Sequence, residues 1–162
     1  MNKLYITIGL PGAGKTTYYD AIKTNNSIHL SSDKMREKYF GDENTVIDPS
    51  LKDMPEDKAK IQSNKFIFNK MKEETLKALK EGKDVYYDAT NLSANNRRDL
   101  IKTFKDYTTS IEAIDFTTIP LDVVLEQNTD RDKIVPLDIM NKMKNNFVPP
   151  SMEEGFDKIT VV

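Results

Sequence analysis

Residues 9–16 have the types and spacing of a phosphate-binding loop. Their sequence, Gly-Leu-Pro-Gly-Ala-Gly-Lys-Thr, matches the whole pattern G-x-x-x-x-G-K-[ST]. The glycines of such a loop let backbone N–H groups face phosphate oxygens, the lysine reaches the β- and γ-phosphates, and the hydroxyl residue can hold Mg²⁺. These last two roles fall on Lys15 and Thr16. The alternative, a glycine turn beside an unrelated lysine, needs the full pattern to arise by chance.

The segments on either side of this loop also suit phosphate binding. Lys3–Ile8 is apolar and β-branched, which predicts a buried strand, and Thr17–Ile22 can open a helix. Strand, loop and helix in this order form the P-loop unit, so we expect the chain to bind ATP or another NTP with Mg²⁺. The predicted nucleotide-binding residues are Gly9, Pro11, Gly12, Ala13, Gly14, Lys15, Thr16 and Thr17.

Asp33 and Arg36 are candidates for contact with a phosphoryl acceptor. They follow a short predicted strand, Ser27–Leu30, and their spacing of three puts them on one face of a helix start. A carboxylate there could take the proton of an acceptor alcohol, and the guanidinium could hold an anionic group of the same molecule. The competing interpretation is that Asp33 only caps the helix and Arg36 is solvated.

Asp88 ends a third predicted strand, Asp84–Asp88, as the acid of a Walker B strand does. It could contact Mg²⁺ through water, orient Arg36 or the substrate, or simply end the strand in a turn. Thr90 and Asn91 follow it and are placed to touch a substrate.

Arg131 lies in a polar loop between two predicted helices, Thr129–Val135. Such a loop can close as a lid and bring an arginine to the γ-phosphate. A solvated connection between helices is the alternative. Two other arginines, Arg97 and Arg98, could contact a backbone phosphate, although paired surface arginines are more often solvated. His29, the single histidine, is expected to be a satisfied core residue.

The remaining pattern alternates strands with helices, which predicts a parallel sheet with right-handed crossovers. The expected fold is an α/β, three-layer P-loop NTPase fold with helices flanking the sheet and a helical lid at about 126–136. We expect residues 1–162 to form a single kinase domain. Further helices are predicted at 34–40, 57–80, 94–107, from Pro120 and from Pro136, and further strands at 110–116 and 158–162.

Composition limits the classes of partner. The 162 residues include 24 Lys and Arg against 26 Asp and Glu, so the net charge is −2 and no basic stripe stands out. Any polynucleotide contact must therefore be local. The absence of cysteine fits a cytoplasmic protein, and no apolar run approaches the roughly 20 residues that span a membrane. A homo-oligomer remains possible.

The combined motifs resemble the kinase domain of phage polynucleotide 5′-hydroxyl kinases, over nearly the whole chain. The P-loop alone is generic, but its combination with Asp-x-x-Arg and with an arginine ahead of Val-Pro is more specific. The tail, 147–157, is similar to that of related small AAA-type P-loop kinases. The motifs that carry the resemblance are 9–17, Ser32-Asp33-x-x-Arg36, Asp88-Ala-Thr-Asn91-Leu, Arg97-Arg98, Asn128-x-x-Arg131 and Val135-Pro136-x-Asp138.

The resemblance implies a role for each matched residue. Asp33 becomes the general base toward a 5′-hydroxyl, Arg36 binds the phosphate 3′ of the reacting nucleotide, Arg131 is the lid arginine and Asp88 supports the site. The sequence departs from the pattern of these kinases at two places. Gln127 stands where a further lid arginine, which would contact the γ-phosphate, is often found. Residues 88–91, at the end of the third predicted strand, align with the family only after a shift.

The expected activity is ATP-dependent transfer of a γ-phosphate to a 5′-hydroxyl end of DNA or RNA. The weak overall charge favours a second possibility, a kinase of a nucleoside, a nucleotide, a modified DNA base or another small-molecule alcohol. A third is a P-loop ATPase or switch with no phosphoryl acceptor, in which Asp-x-x-Arg has no obvious role.

Overall fold

The computed structural model describes residues 2–129 and 134–162 and forms a five-stranded parallel sheet flanked by helices. The predicted P-loop NTPase fold is confirmed. The strands are β1 Lys3–Ile8, β2 Ser27–Ser31, β3 Asp84–Asp88, β4 Ser110–Asp115 and β5 Lys158–Val161. The α-helices are α1 Lys15–Ile22, α2 Ser32–Phe40, α3 Glu56–Lys80, α4 Ala94–Phe104, α5 Leu121–Thr129 and α6 Leu137–Asn146.

The strand order is β2-β3-β1-β4-β5, and every neighbouring pair is parallel. The carboxyl ends of all five strands therefore lie at one edge of the sheet, where ligands of open α/β sheets bind. Because β3 lies between β1 and β2, Asp88 rather than Asp33 is on the strand next to the P-loop.

The sheet separates two apolar clusters. One face packs against α2, α3 and α4 through residues such as Leu4, Ile67 and Phe104, all fully buried. The other face packs against α1, α5 and α6 through residues such as Tyr86 and Met140. Alternate residues of a strand point to opposite faces, which is why the neighbours Tyr86 and Tyr87 lie in different clusters.

Several predicted boundaries and faces differ from the structure. Helix α2 begins at Ser32 and is capped by Ser31, whose hydroxyl accepts the Lys34 N–H, so Asp33 is not the cap. The apolar spacing in the helix from Pro136 predicts that Ile139 faces the core together with Met140, but Ile139 is 42% exposed and only Met140 is buried. Helix α4 ends at Phe104 and a 3₁₀ turn continues to Tyr107. No helix among the described residues is long and apolar enough to cross a membrane.

Candidate active site

The P-loop connects β1 to α1 at the carboxyl edge of the sheet. Gly12 and Gly14 have φ angles of 88° and 93°, a left-handed region in which other L-residues are strained, so these two positions need glycine. Helix α1 begins at Lys15, and its first N–H groups are directed where an anion can bind. The Lys15 ammonium donates to the Gly9 carbonyl at 3.0 Å, which holds the side chain over the loop.

Three contacts with neighbouring elements hold the P-loop in place. The Gly9 N–H donates to the Thr90 carbonyl after β3 at 3.1 Å, and the Tyr86 hydroxyl donates to the Lys15 carbonyl at 2.6 Å. On the third side, Gly12 lies against the backbone of α5, where a β-carbon would come within 2.9 Å of Val124 O and Asn128 N. The loop shape is therefore set by β3 and α5 as well as by its own sequence.

Asp88, at the end of β3, accepts two hydrogen bonds on one carboxylate oxygen. Thr16 Oγ1 lies 3.3 Å from Asp88 Oδ2, and His29 Nε2 lies 2.8 Å from the same atom. Burial by itself raises the pKa of Asp88, but hydrogen bonds from His29 and Thr16 and the positive charge of Lys15 outweigh it and keep that pKa below its ordinary value. Asp88 is thus ionised next to the P-loop hydroxyl.

His29 occupies a polar position rather than a purely apolar one. Lys34 Nζ lies 3.1 Å from His29 Nδ1, and an ammonium can only donate, so Nδ1 accepts. It follows that the other ring nitrogen, Nε2, carries the hydrogen and donates to Asp88. The ring stacks on Tyr19 at a centroid distance of 4.8 Å, which fixes its plane.

The pair of Thr16 and Asp88 fits a magnesium site of the P-loop type. Mg²⁺ takes oxygen ligands and in such sites uses one or two protein groups together with phosphate oxygens and water. A threonine hydroxyl and an ionised carboxylate, 3.3 Å apart beside the P-loop, are such donors. Among residues 2–129 and 134–162 no group of three or more His, Cys, Asp or Glu forms a larger metal cluster.

Asp33 and Arg36 lie together on the first turns of α2. Arg36 Nη1 donates to Asp33 Oδ1 at 3.2 Å, and Arg36 Nη2 reaches Asn64 of α3 at 3.5 Å. The Asp33 side chain is 30% exposed and that of Arg36 only 12%. Burial lowers the pKa of Arg36 and the Asp33 carboxylate opposes the shift, so the guanidinium stays charged. Its Nε has no hydrogen-bond partner among the described residues.

A family model for the AAA domain, AAA_33, matches residues 4–150. The chain belongs to this family. Membership agrees with the sheet order and the P-loop and implies nucleotide binding.

Known proteins similar to this AAA domain include kinases. It is 28% identical over 160 residues to L-seryl-tRNA(Sec) kinase of Methanococcus maripaludis, covering 95% of this chain and 56% of that protein. The chain thus spans about half the length of this relative.

Solved structures share the fold. A chain of the Pnkp1/Rnl/Hen1 RNA repair complex superposes with a TM-score of 0.70 at 22% identity, over 92% of this chain and 48% of that one. A gluconokinase from Sinorhizobium meliloti 1021 superposes with a TM-score of 0.57 at 12% identity, over 99% and 81% of the two chains. This AAA domain therefore has the same fold as these proteins.

The segment after β3 supports the P-loop and β1 in this AAA domain. Asn91 has a φ of 45° and is 4% exposed, and its amide donates to the Thr7 carbonyl at 2.8 Å. Its Oδ1 has no partner among the described residues. Thr90 supports the P-loop through its carbonyl. Substrate contact by Thr90 and Asn91 stays a prediction, and the contacts that the structure gives them support the P-loop and β1.

Two predicted arginine contacts have different outcomes. Arg97 is fully buried and bound to Glu154, so the interpretation of Arg97 as a phosphate contact is wrong. Arg131, the predicted lid arginine, lies outside the described residues. The Asn128 side chain, before that stretch, donates to the carbonyl of Val135 and accepts the Val135 N–H. These two bonds join α5 to the residues before α6.

The contact between His29 and Asp88 was missed by sequence reasoning. The signal exists in the pairing of β2 with β3, where Ser31 lies beside Asp88 and His29 beside Tyr86. Residues two apart in a strand share a face, so His29 is the diagonal neighbour of Asp88. Finding it required knowing that β2 pairs with β3 and not with β1.

Proposed function

We propose that this chain is an ATP-dependent kinase that transfers the γ-phosphate to a 5′-hydroxyl end of DNA or RNA. One observation carries the proposal: an Asp33–Arg36 pair, partly exposed at its carboxylate, lies at the same sheet edge as the P-loop and one strand away from Asp88. This arrangement offers an acceptor a base for its hydroxyl and a cation for its anionic group.

The donor side of the reaction falls to the P-loop. Backbone N–H groups of the loop and of the start of α1 bind the phosphates, and Lys15 moves from the Gly9 carbonyl toward the β- and γ-phosphate oxygens. Thr16 and Asp88 would hold the magnesium. When bound there, Mg²⁺ would supply positive charge that stabilises the negative charge of the phosphoryl group in transfer.

The acceptor side falls to α2. Asp33 accepts the proton of the acceptor hydroxyl, whose oxygen forms a bond to the γ-phosphorus while the bond to the bridging β–γ oxygen breaks and ADP leaves. Arg36 binds the phosphate on the 3′ side of the reacting nucleotide. Arg131, which the resemblance assigns to the γ-phosphate, is part of the proposal on sequence grounds only.

The test is transfer of labelled γ-phosphate from ATP and Mg²⁺ to 5′-hydroxyl oligonucleotides of DNA and RNA. 5′-Phosphorylated oligonucleotides and nucleosides serve as comparison acceptors. We expect label on 5′-hydroxyl ends only. Asp33→Asn should lower kcat by at least 100-fold, the lower range for a general base, while ATP affinity stays within twofold.

Two controls make the result decisive. Lys15→Ala should lose both transfer and ATP binding, which separates loss of the base from loss of the nucleotide. Asp42→Asn changes an exposed carboxylate in the loop after α2 and should leave transfer unchanged. Full activity of Asp33→Asn would refute its assignment as the base, and label confined to 5′-phosphorylated ends would refute the 5′-hydroxyl acceptor.

A second candidate acceptor is an alcohol carried elsewhere on an RNA. The relative that is 28% identical is named as a kinase of L-seryl-tRNA. Seryl-tRNA therefore belongs among the tested acceptors, because its side-chain hydroxyl presents the same alcohol chemistry to Asp33. Label on seryl-tRNA and none on 5′-hydroxyl oligonucleotides would replace the first proposal with this one.

A further inference from the structure

An open groove with a volume of about 460 Å³ runs between α4, the residues before β4 and the segment before β5. Three cations line it: Arg98 and Lys102 of α4, and Lys105 of the 3₁₀ turn that follows α4. Thr109 adds a hydroxyl, which accepts a hydrogen bond from the Asn2 N–H and keeps its own hydrogen for donation. The groove is separate from the candidate active site, because Thr109 precedes β4 and so lies at the amino edge of the sheet.

The acids that border the groove are already engaged in the fold. Glu154 is paired with the buried Arg97, and the Asp157 carboxylate accepts the Ile111 N–H at 2.8 Å. No acidic side chain among the described residues forms an ion pair with the three groove cations, although Lys72 on the neighbouring helix pairs with Asp99. The groove therefore presents positive charge on a chain whose net charge is −2.

Helical winding creates this basic stripe. Residues 98, 102 and 105 follow the spacing i, i+4, i+7 and share one face of α4 and of its helical end at Lys105, over a length of about 10 Å. All three are exposed, while Ile101 beneath them is buried. The sequence showed no basic stripe because acidic and apolar residues separate these cations along the chain.

We infer that this groove binds the sugar–phosphate backbone of a polynucleotide, at nucleotides distant from the reacting end. The statement that this polynucleotide is the phosphoryl acceptor rests on the proposed function. A row of cations at helical spacing, with a hydroxyl donor beside it, complements the regularly spaced charges of a nucleic-acid backbone. A small acceptor bound at the active site would be too short to contact this groove.

The position of the groove sets the length of acceptor that can use it. Strands β2 and β4 are three spacings apart, about 14 Å, and α4 leads from the site edge toward the amino edge, so the path from Asp33 to the stripe is about 20 Å. At about 3.4 Å per phosphate in a stacked strand, this path takes about six nucleotides. A stacked tetranucleotide is too short to reach the groove from the site, whereas a 20-mer reaches it.

The experiment compares two triple variants with equal charge. The groove variant carries Arg98→Gln, Lys102→Gln and Lys105→Gln. The control variant carries Lys52→Gln, Lys58→Gln and Lys77→Gln, which are exposed and lie outside the groove. Each variant has a net charge of −5 in place of −2, so a general charge effect is the same in both.

Binding is measured by fluorescence anisotropy with a 5′-phosphorylated single-stranded 20-mer over a series of NaCl concentrations. This probe is not an acceptor, so the result does not depend on transfer. We expect the groove variant to bind at least tenfold more weakly at 50 mM salt and the slope of log K against log salt to fall by about 2, near 0.7 per lost phosphate contact. The control variant should stay within threefold of the wild type.

Two outcomes would overturn the inference. Equal losses in the groove and control variants would mean that only overall charge matters. A larger loss toward phosphatidylserine vesicles than toward the 20-mer would mean that the groove recognises a lipid surface. Circular dichroism melting of both variants checks that neither result comes from unfolding.

The kinase assay then separates this inference from the proposed function. The groove variant should raise KM for a 5′-hydroxyl 20-mer at least tenfold and leave KM for a tetranucleotide unchanged. An equal rise for both lengths would overturn the distal position. If no polynucleotide is phosphorylated by the wild type, the proposed function fails while the anisotropy result still decides whether the groove binds a polynucleotide.

Discussion

At the scale of single residues, Asp88 is the point where the P-loop and two strands meet. Its carboxylate accepts from Thr16 and His29, and the histidine is in turn held by Lys34 and Tyr19. Side chains that orient a ligand of a metal are often as necessary as the ligand itself. His29 is thus a positioning residue: it reaches the candidate magnesium site only through Asp88.

Replacing His29 tests this positioning role. His29→Leu removes the donor to Asp88, and we expect a tenfold to 100-fold loss of kcat/KM and a higher Mg²⁺ requirement. His29→Gln can still donate an amide hydrogen and should recover most of the loss. The measurement is a Mg²⁺ titration of transfer with all three proteins, together with their thermal melting. A merely structural histidine would lower the melting temperature and leave the Mg²⁺ midpoint unchanged.

At the scale of elements, the sequence predicted the strands, the P-loop and most helix positions, because these depend on local signals. Apolar β-branched runs, glycine and proline mark where an element begins and ends. The buried face of α3 is predicted less well: spacings of three and four place Ile61 on one face with Phe68 and Met71, yet Ile61 is 71% exposed. The structure instead buries the small residues Ala59 and Ser63, and the Ser63 hydroxyl accepts the Asp48 N–H. Small residues give no hydropathy signal for such a face.

For the candidate site, too, local motifs were predictable from the sequence and tertiary contacts were not. The letters of the P-loop and of Asp-x-x-Arg locate Lys15, Asp33 and Arg36 without knowledge of the fold. The Asp88–His29 contact and the burial of Arg97 depend on which strands pair and on where the tail packs, and these are tertiary facts. A pattern of residue types cannot distinguish an arginine that faces solvent from one that holds the core together.

The contact between the P-loop and α5 leads to a prediction at this scale. Gly12→Ala would place a β-carbon 2.9 Å from the α5 backbone in addition to straining a φ of 88°. We expect a loss of unfolding free energy of about 2–5 kcal/mol, which combines left-handed strain with overpacking, and a loss of ATP affinity. Urea unfolding and nucleotide titration measure the two effects.

Gly82→Ala is the matched control for Gly12→Ala. Gly82 has a φ of 81°, and a β-carbon there would have no neighbour within 4 Å. It should cost only the left-handed strain, about 1–2 kcal/mol, and leave ATP affinity unchanged. Equal losses of stability in the two variants would show that α5 does not press on the loop.

At the scale of the whole molecule, a buried ion pair joins the tail to the site. Arg97 of α4 bonds to Glu154 at 2.6 Å and 3.1 Å, and to the carbonyls of Asn91 and Pro149. Glu154 also accepts the Ser151 N–H in a capping box. The segment after β3, which supports the P-loop through Thr90, is therefore tied to the tail by one guanidinium.

Breaking this ion pair should destabilise the protein more than a substitution on its surface does. Arg97→Met leaves the Glu154 carboxylate buried without its partner, and we expect a loss of unfolding free energy of about 3–5 kcal/mol in urea titrations. Arg98→Met, its exposed neighbour, should cost less than about 0.5 kcal/mol. In the double variant Arg97→Met/Glu154→Leu most of the loss should be recovered, since two apolar side chains replace the pair. If the double variant is as unstable as the sum of its single changes, the two residues act independently and the tail is not held to the P-loop support through this pair.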